Sequence, residues 1–356
     1  TLGEKPLLVL MDAMIVANKH SARPLVFVCI VLLASSCINS SRHTTDLISE
    51  VVCSFSNHEN VLGLPISFDF VNDTTVVLAV DNRVLLYSDS GIFIRQIGRP
   101  GKALFEYNSP SLVRATEDSI YVWSSMSLQF ISFGVDGAPG SIYPYDSALS
   151  DFDITDDLIV IYTAAKRGDH IIDLYHKDDN RIESFGDATD EHRILCQNAS
   201  VAPLLLKDDQ ILFASKDHLQ IYELDCNSGA VSEIALFQSP SFNVNKLPAS
   251  IASMSRKEKS QYLKDNPISL MILPVETNNY ALMTLEGKTE LEDDGVSNLN
   301  RTYDIYFGKD SDIVSVPWGV MKYWHLFSYR NGYLYYLNNE IDGDDEDILL
   351  QRVKLF

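Results

Sequence analysis

Pro65 to Val71 (PISFDFV) runs into a turn at Asn72-Asp73, and Thr75 to Val80 (TVVLAV) follows. Arg83 to Ser88 (RVLLYS) then turns at Asp89-Ser90-Gly91 into Ile92 to Gly98 (IFIRQIG). Apolar residues recur at every second position, the period of a strand with one buried face. The breaks between the runs are the polar and glycine-containing clusters that turns require. The stretch reads as four antiparallel strands in a meander. Such a sheet must bury its apolar side against another layer, so it calls for neighbours.

The sequence supplies them. Ser111 to Thr116, Ser119 to Ser124, Leu128 to Phe133 and, beyond Val135-Asp136-Gly137, Ser141 to Tyr145 repeat the plan. So do Leu149 to Thr155, Leu158 to Ala164, Ile171 to Lys177 and Ile182 to Gly186. A fourth unit uses Val201 to Lys207, Gln210 to Ser215, Leu219 to Asp225 and Ala230 to Phe237. A fifth uses Ile268 to Glu276, Tyr280 to Glu286, Arg301 to Gly308 and Ile313 to Trp318. The sixth has only three strands: His325 to Arg330, Tyr333 to Asn339 past the Asn331-Gly332 hairpin turn, and Ile348 to Phe356.

A spare strand lies at the other end, where Ile48 to Ser56 (ISEVVCSFS) belongs to no unit. Six units and one displaced strand predict an all-β, six-bladed β-propeller with four-stranded blades, its ring closed by the N-terminal strand on the last blade. A two-sheet sandwich would leave the repeat of roughly 40–50 residues unexplained.

The composition agrees. Among 356 residues, 17 Tyr and 16 Phe suit half-buried pleated surfaces. Lys and Arg number 28 against 49 Asp and Glu, a net charge of −21. Such a surface repels phosphate backbones, which argues against a nucleic-acid partner. Much of the acidity lies in turns such as Asp156-Asp157 and Asp208-Asp209, and the plain reading of it is solubility. Of five cysteines, Cys53, Cys196 and Cys226 lie in the body. Their spacing matches no metal motif and allows at most one disulfide, so they read as small buried or turn residues.

The front end reads as an address. From a start at Met11, Lys19, His20 and Arg23 precede the apolar run Leu25 to Leu33, then Ala34-Ser35-Ser36 and Cys37. A basic segment, a short apolar core and small residues make an export signal. Cys37 resembles the lipidated cysteine of a lipobox, although Ala34 stands where leucine is usual. Residues 1–36 are then upstream sequence and signal peptide, 37–47 a polar tether, and 48–356 the propeller, with an inserted helical segment at about 243–266. Within that insert Ser255-Arg256-Lys257-Glu258 is a capping box, whose helix would be a lid or a plug over one face. The expected location is the cell envelope, with membrane contact through the lipid alone.

Arg95 to Pro110 (RQIGRPGKALFEYNSP), after Leu86 to Gly91, resembles an NHL-type propeller repeat. It is similar to the connector of the TolB-like six-bladed propeller lipoproteins of Gram-negative gut bacteria. Gly98, Gly101, Glu106 and Tyr107 match that connector, whereas Lys102 to Phe105 depart from its Gly-Pro-Gly portion. The resemblance implies a fold and an envelope location, and carries no catalytic residues with it.

Blade-to-blade connectors and the loops between second and third strands share one face of such a disc, and loop faces carry binding sites. The insertions at 238–267, 287–300, 165–170 and 340–347 all fall there. Arg99, Glu106 and Tyr107 in the first connector, and Arg167, Asp169 and His170 in a third-unit loop, are the candidate ligand contacts. The acidic run Asp342 to Asp347 lacks EF-hand spacing and reads as a charged hairpin tip. No nucleophile elbow, H-E-x-x-H, C-x-x-C or Walker loop is present.

The expected function is therefore a binding or scaffolding lipoprotein for a peptide, glycan or protein partner. The alternative is a metal-dependent hydrolase resembling regucalcin-like lactonases. Its divalent ion, Ca2+ for example, would be held by carboxylates from several blades, whereas the residue motifs themselves identify no cofactor.

Overall fold

The computed structural model describes residues 42–43, 48–55, 65–164, 169–196, 201–207, 210–248, 250–276, 279–291, 297–308, 312–317, 326–342 and 345–355. Cys37 and Arg167 lie outside them. The strand β1 (Ser49–Phe55) comes first, and the blades follow in chain order. Blade 1 is β2 (Pro65–Asn72), β3 (Thr75–Val80), β4 (Arg83–Ser88) and β5 (Phe93–Gln96). Blade 2 is β6 (Pro110–Ala115), β7 (Ser119–Ser124), β8 (Gln129–Gly134) and β9 (Pro139–Pro144). Blade 3 is β10 (Leu149–Ile154), β11 (Leu158–Thr163), β12 (His170–His176) and β13 (Ile182–Asp187). Blade 4 is β14 (Leu204–Lys207), β15 (Gln210–Ala214), β16 (Gln220–Leu224) and β17 (Val231–Leu236). Blade 5 is β18 (Ile268–Glu276), β19 (Asn279–Leu291), β20 (Ser297–Phe307) and β21 (Asp312–Pro317). Blade 6 is β22 (Phe327–Arg330), β23 (Tyr333–Asp342) and β24 (Asp345–Lys354).

Each blade is an antiparallel sheet in sequence order, so the chain is a six-bladed propeller. β1 is the fourth strand of blade 6: Ser49 pairs with Val353 and Phe55 with Ile348, antiparallel to β24. The residues 42–43 add a short parallel pairing beside β21. Apolar clusters fill the spaces between successive blades. Val84, Ile97 and Val113 join blades 1 and 2; Trp123, Phe130 and Phe152 join blades 2 and 3; Phe55, Leu78 and Leu350 join blade 6 to blade 1. Burying each such side chain contributes about 1.5–3 kcal/mol, which is why a strand period of two is kept in every blade.

Three boundaries differ from the sequence reading. The first strand of blade 4 starts at Leu204 rather than Val201, because Pro203 has no N–H to give and only its carbonyl pairs, accepting from Ala214. The segments 287–300 and 340–347, expected as loops, contain continuing ladders. Gly287 to Leu291 pair with Arg301 to Ser297, and Glu340 pairs with Asp347. Their polar sequences lack apolar alternation, yet the backbone partners set by the flanking strands carry the hairpins on.

The helical insert is shorter than expected. A helical turn spans Ile251–Ser253, and the helix α2 spans Arg256–Asp265. Its capping box forms as read, with Ser255 accepting from the Glu258 amide and Glu258 from the Ser255 amide. A helix not anticipated, α1 (Asp190–Leu195), links blades 3 and 4 and is capped by Thr189.

Candidate binding cleft

A cleft of about 1190 Å3 opens between blades 3 and 4. Its rim is made by the β10–β11 turn (Thr155 to Asp157), the β14–β15 hairpin and the β16–β17 turn. All three connect first to second or third to fourth strands. The cleft therefore lies on the face opposite the blade-to-blade connectors, where the sequence reading had placed its candidates. Asp153, Asp156, Asp157, Glu223 and Asp225 line it, and the described lining contains no Lys or Arg. Leu158, Leu206, Ile211 and Leu224 form its apolar wall.

The local chemistry leaves Asp156 and Asp157 exposed, while Glu223 accepts from Gln210 at 2.9 Å. Lys177 donates to Thr155 O at 2.6 Å and to Tyr121 Oη at 3.0 Å, and lies 4.7 Å from the Tyr121 ring centre. That cation ties the turn down by its carbonyls while the side chains of Asp156 and Asp157 stay exposed. Asp225 accepts from the Asn227 amide at 2.8 Å and from Ser228 Oγ at 2.9 Å. These bonds, the Asn227 amide first, hold its carboxyl below the usual range.

Asp153 connects the cleft to a charged line on the innermost strands. Arg114 on β6 donates to Asp151 on β10, and Asp151 also accepts from the Phe152 amide at 2.8 Å. Asp69 on β2 accepts from the Ala115 amide of blade 2 at 2.9 Å. Burial pushes Asp69, Asp151 and Asp153 up, Asp153 to about 7, while Arg114 opposes the shift in each. One guanidinium thus serves three carboxylates from blades 1 and 3. Those carboxylates already have a cation where the hydrolase reading would have a metal ion.

A second polar group is buried beside α1. His192 Nε2 lies 3.2 Å from Cys196 Sγ, and His192 Nδ1 accepts from the Lys216 amide at 3.1 Å. Asp217 accepts from Thr189 Oγ1 at 2.6 Å and from Ser215 Oγ. The arrangement has the residue types of a nucleophile–base pair, but burial sets the protonation states against that role. It lowers His192 to about 4 and raises Cys196 to about 12, so the imidazole is neutral and the thiol keeps its proton.

The residues named from sequence fall as follows. Arg99 Nε donates to Glu106 Oε1 at 2.7 Å, with Arg99 largely exposed. Tyr107 is fully buried, its hydroxyl donating to Ile97 O at 3.0 Å and accepting from the Val84 amide at 3.1 Å. Asp169 pairs with Arg193, and His170 O accepts from Thr163 Oγ1 at 2.6 Å. The sequence signal for the cleft was present in Asp156-Asp157 and in Asp225 before Asn227-Ser228-Gly229. These turns of consecutive units share a face, whereas Asp156-Asp157 reads in sequence only as solubility.

No family model matches the chain, and no curated protein matches it. Solved structures do. A protein from Bacteroides fragilis whose name marks it as exported superposes with a TM-score of 0.62 at 13% identity, over 88% of this chain and 99% of its own. A member of the DUF4221 family from Bacteroides vulgatus gives 0.60 at 10% identity, over 88% and 98%. The likeness establishes the fold. Among the described residues no helix is long and apolar enough to cross a membrane, and no three His, Cys, Asp or Glu side chains gather as ligands of one metal ion.

Proposed function

We propose that this chain is an exported, envelope-tethered binding module whose blade 3–4 cleft takes a cationic segment of a protein or peptide partner. The cleft carries the reading: five carboxylates around an apolar wall, with no cation among the described lining residues. An exposed ion pair contributes only about 0.2–1 kcal/mol, so several must act together, and the apolar wall must supply the rest. The field of a body carrying −21 charges would speed encounter with a basic partner, most strongly at low salt. An acidic lining favours such a partner over a neutral glycan. Export is supported by the apolar run Leu25 to Leu33 before Cys37, and by the likeness to a protein named as exported.

The test is binding of fluorescent lysine- and arginine-containing peptides, followed by anisotropy at low and physiological salt. Asp156→Asn with Asp157→Asn should weaken binding about tenfold if two ion pairs of the size above are lost. The same charge change at Asp146 and Asp187, which lie outside the cleft lining, should leave binding within twofold. Equal losses for both pairs would mean that net charge alone attracts the peptides, against the cleft reading.

A further inference from the structure

Ile92, Phe93 and Ile94 are consecutive apolar residues at the outer edge of blade 1, and all three are exposed, Ile92 at 67%. A strand covered on one side alternates apolar with polar residues, so an exposed run of three serves no core of its own chain. β1, the outer strand of blade 6, adds Ile48 at 81% exposure and Val51 at 58%. The two edges are neighbours. Gly91, just before Ile92, packs directly on Ser54 of β1. Phe55, Tyr87 and Phe93 follow one another with ring centres 5.0 and 5.7 Å apart. The exposed side chains thus belong to one apolar rim across the junction of blades 6 and 1.

The strands themselves argue against a second copy pairing edge to edge. β5 has four residues and a register shift opposite Leu86 and Tyr87, and β1 has another between Val51 and Cys53. Short, bulged edges are poor templates for a further strand.

The N-terminal segment points to a lipid surface instead. Arg42 and His43 run parallel to Ile313 and Val314 on β21, the outer strand of blade 5. The chain coming from Cys37 therefore joins the body at the rim, one blade from β1. Cys37 precedes Arg42 by five residues, at most about 18 Å of extended chain. A membrane anchor there would sit beside this rim. A single acyl chain holds a protein to a bilayer only marginally, and a second contact makes the attachment stable.

We propose that the rim formed by Ile48, Val51, Ile92, Phe93 and Ile94 is a membrane-contact surface, seated in the bilayer interface beside the N-terminal anchor. The inference rests on the tethered reading above and adds an orientation to it. The disc stands on its edge, and the cleft of blades 3 and 4, three blades round the ring from this junction, opens away from the membrane.

The experiment floats the full chain on neutral phosphatidylcholine vesicles that contain a lipid with an alkyne-tagged acyl chain. A photo-crosslinker replaces Phe93 in one preparation and, in another, Ile182 on the outer strand of blade 3, which is exposed and lies opposite blade 6. In the floated protein the lipid adduct from position 93 should exceed that from position 182 about fivefold or more, because only side chains in the interface meet acyl chains. Ile92→Asp with Ile94→Asp, exposed changes that spare the fold, should lower the yield at position 93 about tenfold. Equal yields from the two positions in floated protein would overturn the rim and leave the tether standing. Chain-to-chain adducts from position 93 in place of lipid adducts would overturn it in favour of a second copy. A chain that does not float would overturn the tether and the rim together.

Discussion

Arg114 on the inner strand of blade 2 donates to Asp151 on the inner strand of blade 3, and the same guanidinium stabilises the charged forms of Asp69 and Asp153. Truncating it leaves buried Asp151 and half-buried Asp69 and Asp153 without their cation. Arg114→Ala should cost about 3 kcal/mol or more, read from urea unfolding at neutral pH. The loss should shrink at pH 4, where Asp153 is protonated in the folded protein.

Asp153 gives a pH dependence with a defined sign. Its carboxyl is raised from 3.8 unfolded to about 7 folded, so the folded protein holds the extra proton between those values. Stability contributed by this group therefore falls as pH rises from about 4 to about 7, and is constant above. Asp153→Asn should flatten that part of the curve in thermal melts from pH 4 to 8. A wild-type curve that the substitution leaves unchanged would contradict the assignment.

Gly91 ties the first blade to the N-terminal strand. Its φ is +80°, and a Cβ there would collide with Ser54 O of β1. Gly137 has a similar φ of +85° but open space around it. Gly91→Ala should destabilise by at least about 1 kcal/mol more than Gly137→Ala, which pays only for backbone strain. Chemical denaturation of the two variants side by side is the check.

The thiols should differ sharply in reactivity. Burial raises Cys53 to about 11 and Cys196 to about 12, whereas Cys226 is exposed in the β16–β17 turn. Alkylation of the native protein, mapped by mass spectrometry, should label Cys226 within minutes. Cys53 and Cys196 should react only as fast as the structure opens.

The strand framework was legible because each blade repeats one local pattern. Alternation in Thr75 to Val80, the Asn331-Gly332 turn with both residues at positive φ, and the spare strand Ile48 to Ser56 are all short-range signals. The Ser255–Glu258 capping box is another. The cleft depends instead on which turns become neighbours after folding. Asp156 and Asp225 line one cleft only because blades 3 and 4 abut. Short helix α1 is hard to read from sequence because its six residues give less than two turns of period, although Thr189 before Asp190-Glu191 is a cap with an acidic first turn.

The most direct test of the binding reading is photo-crosslinking in the native envelope. One cross-linker would replace Asn227 on the cleft rim, and another Lys102 in the first connector on the opposite face. The account predicts a discrete adduct from position 227 that is lost in the Asp156→Asn, Asp157→Asn background, and none from position 102. An adduct from position 102 alone would contradict it and return the search to the connector face.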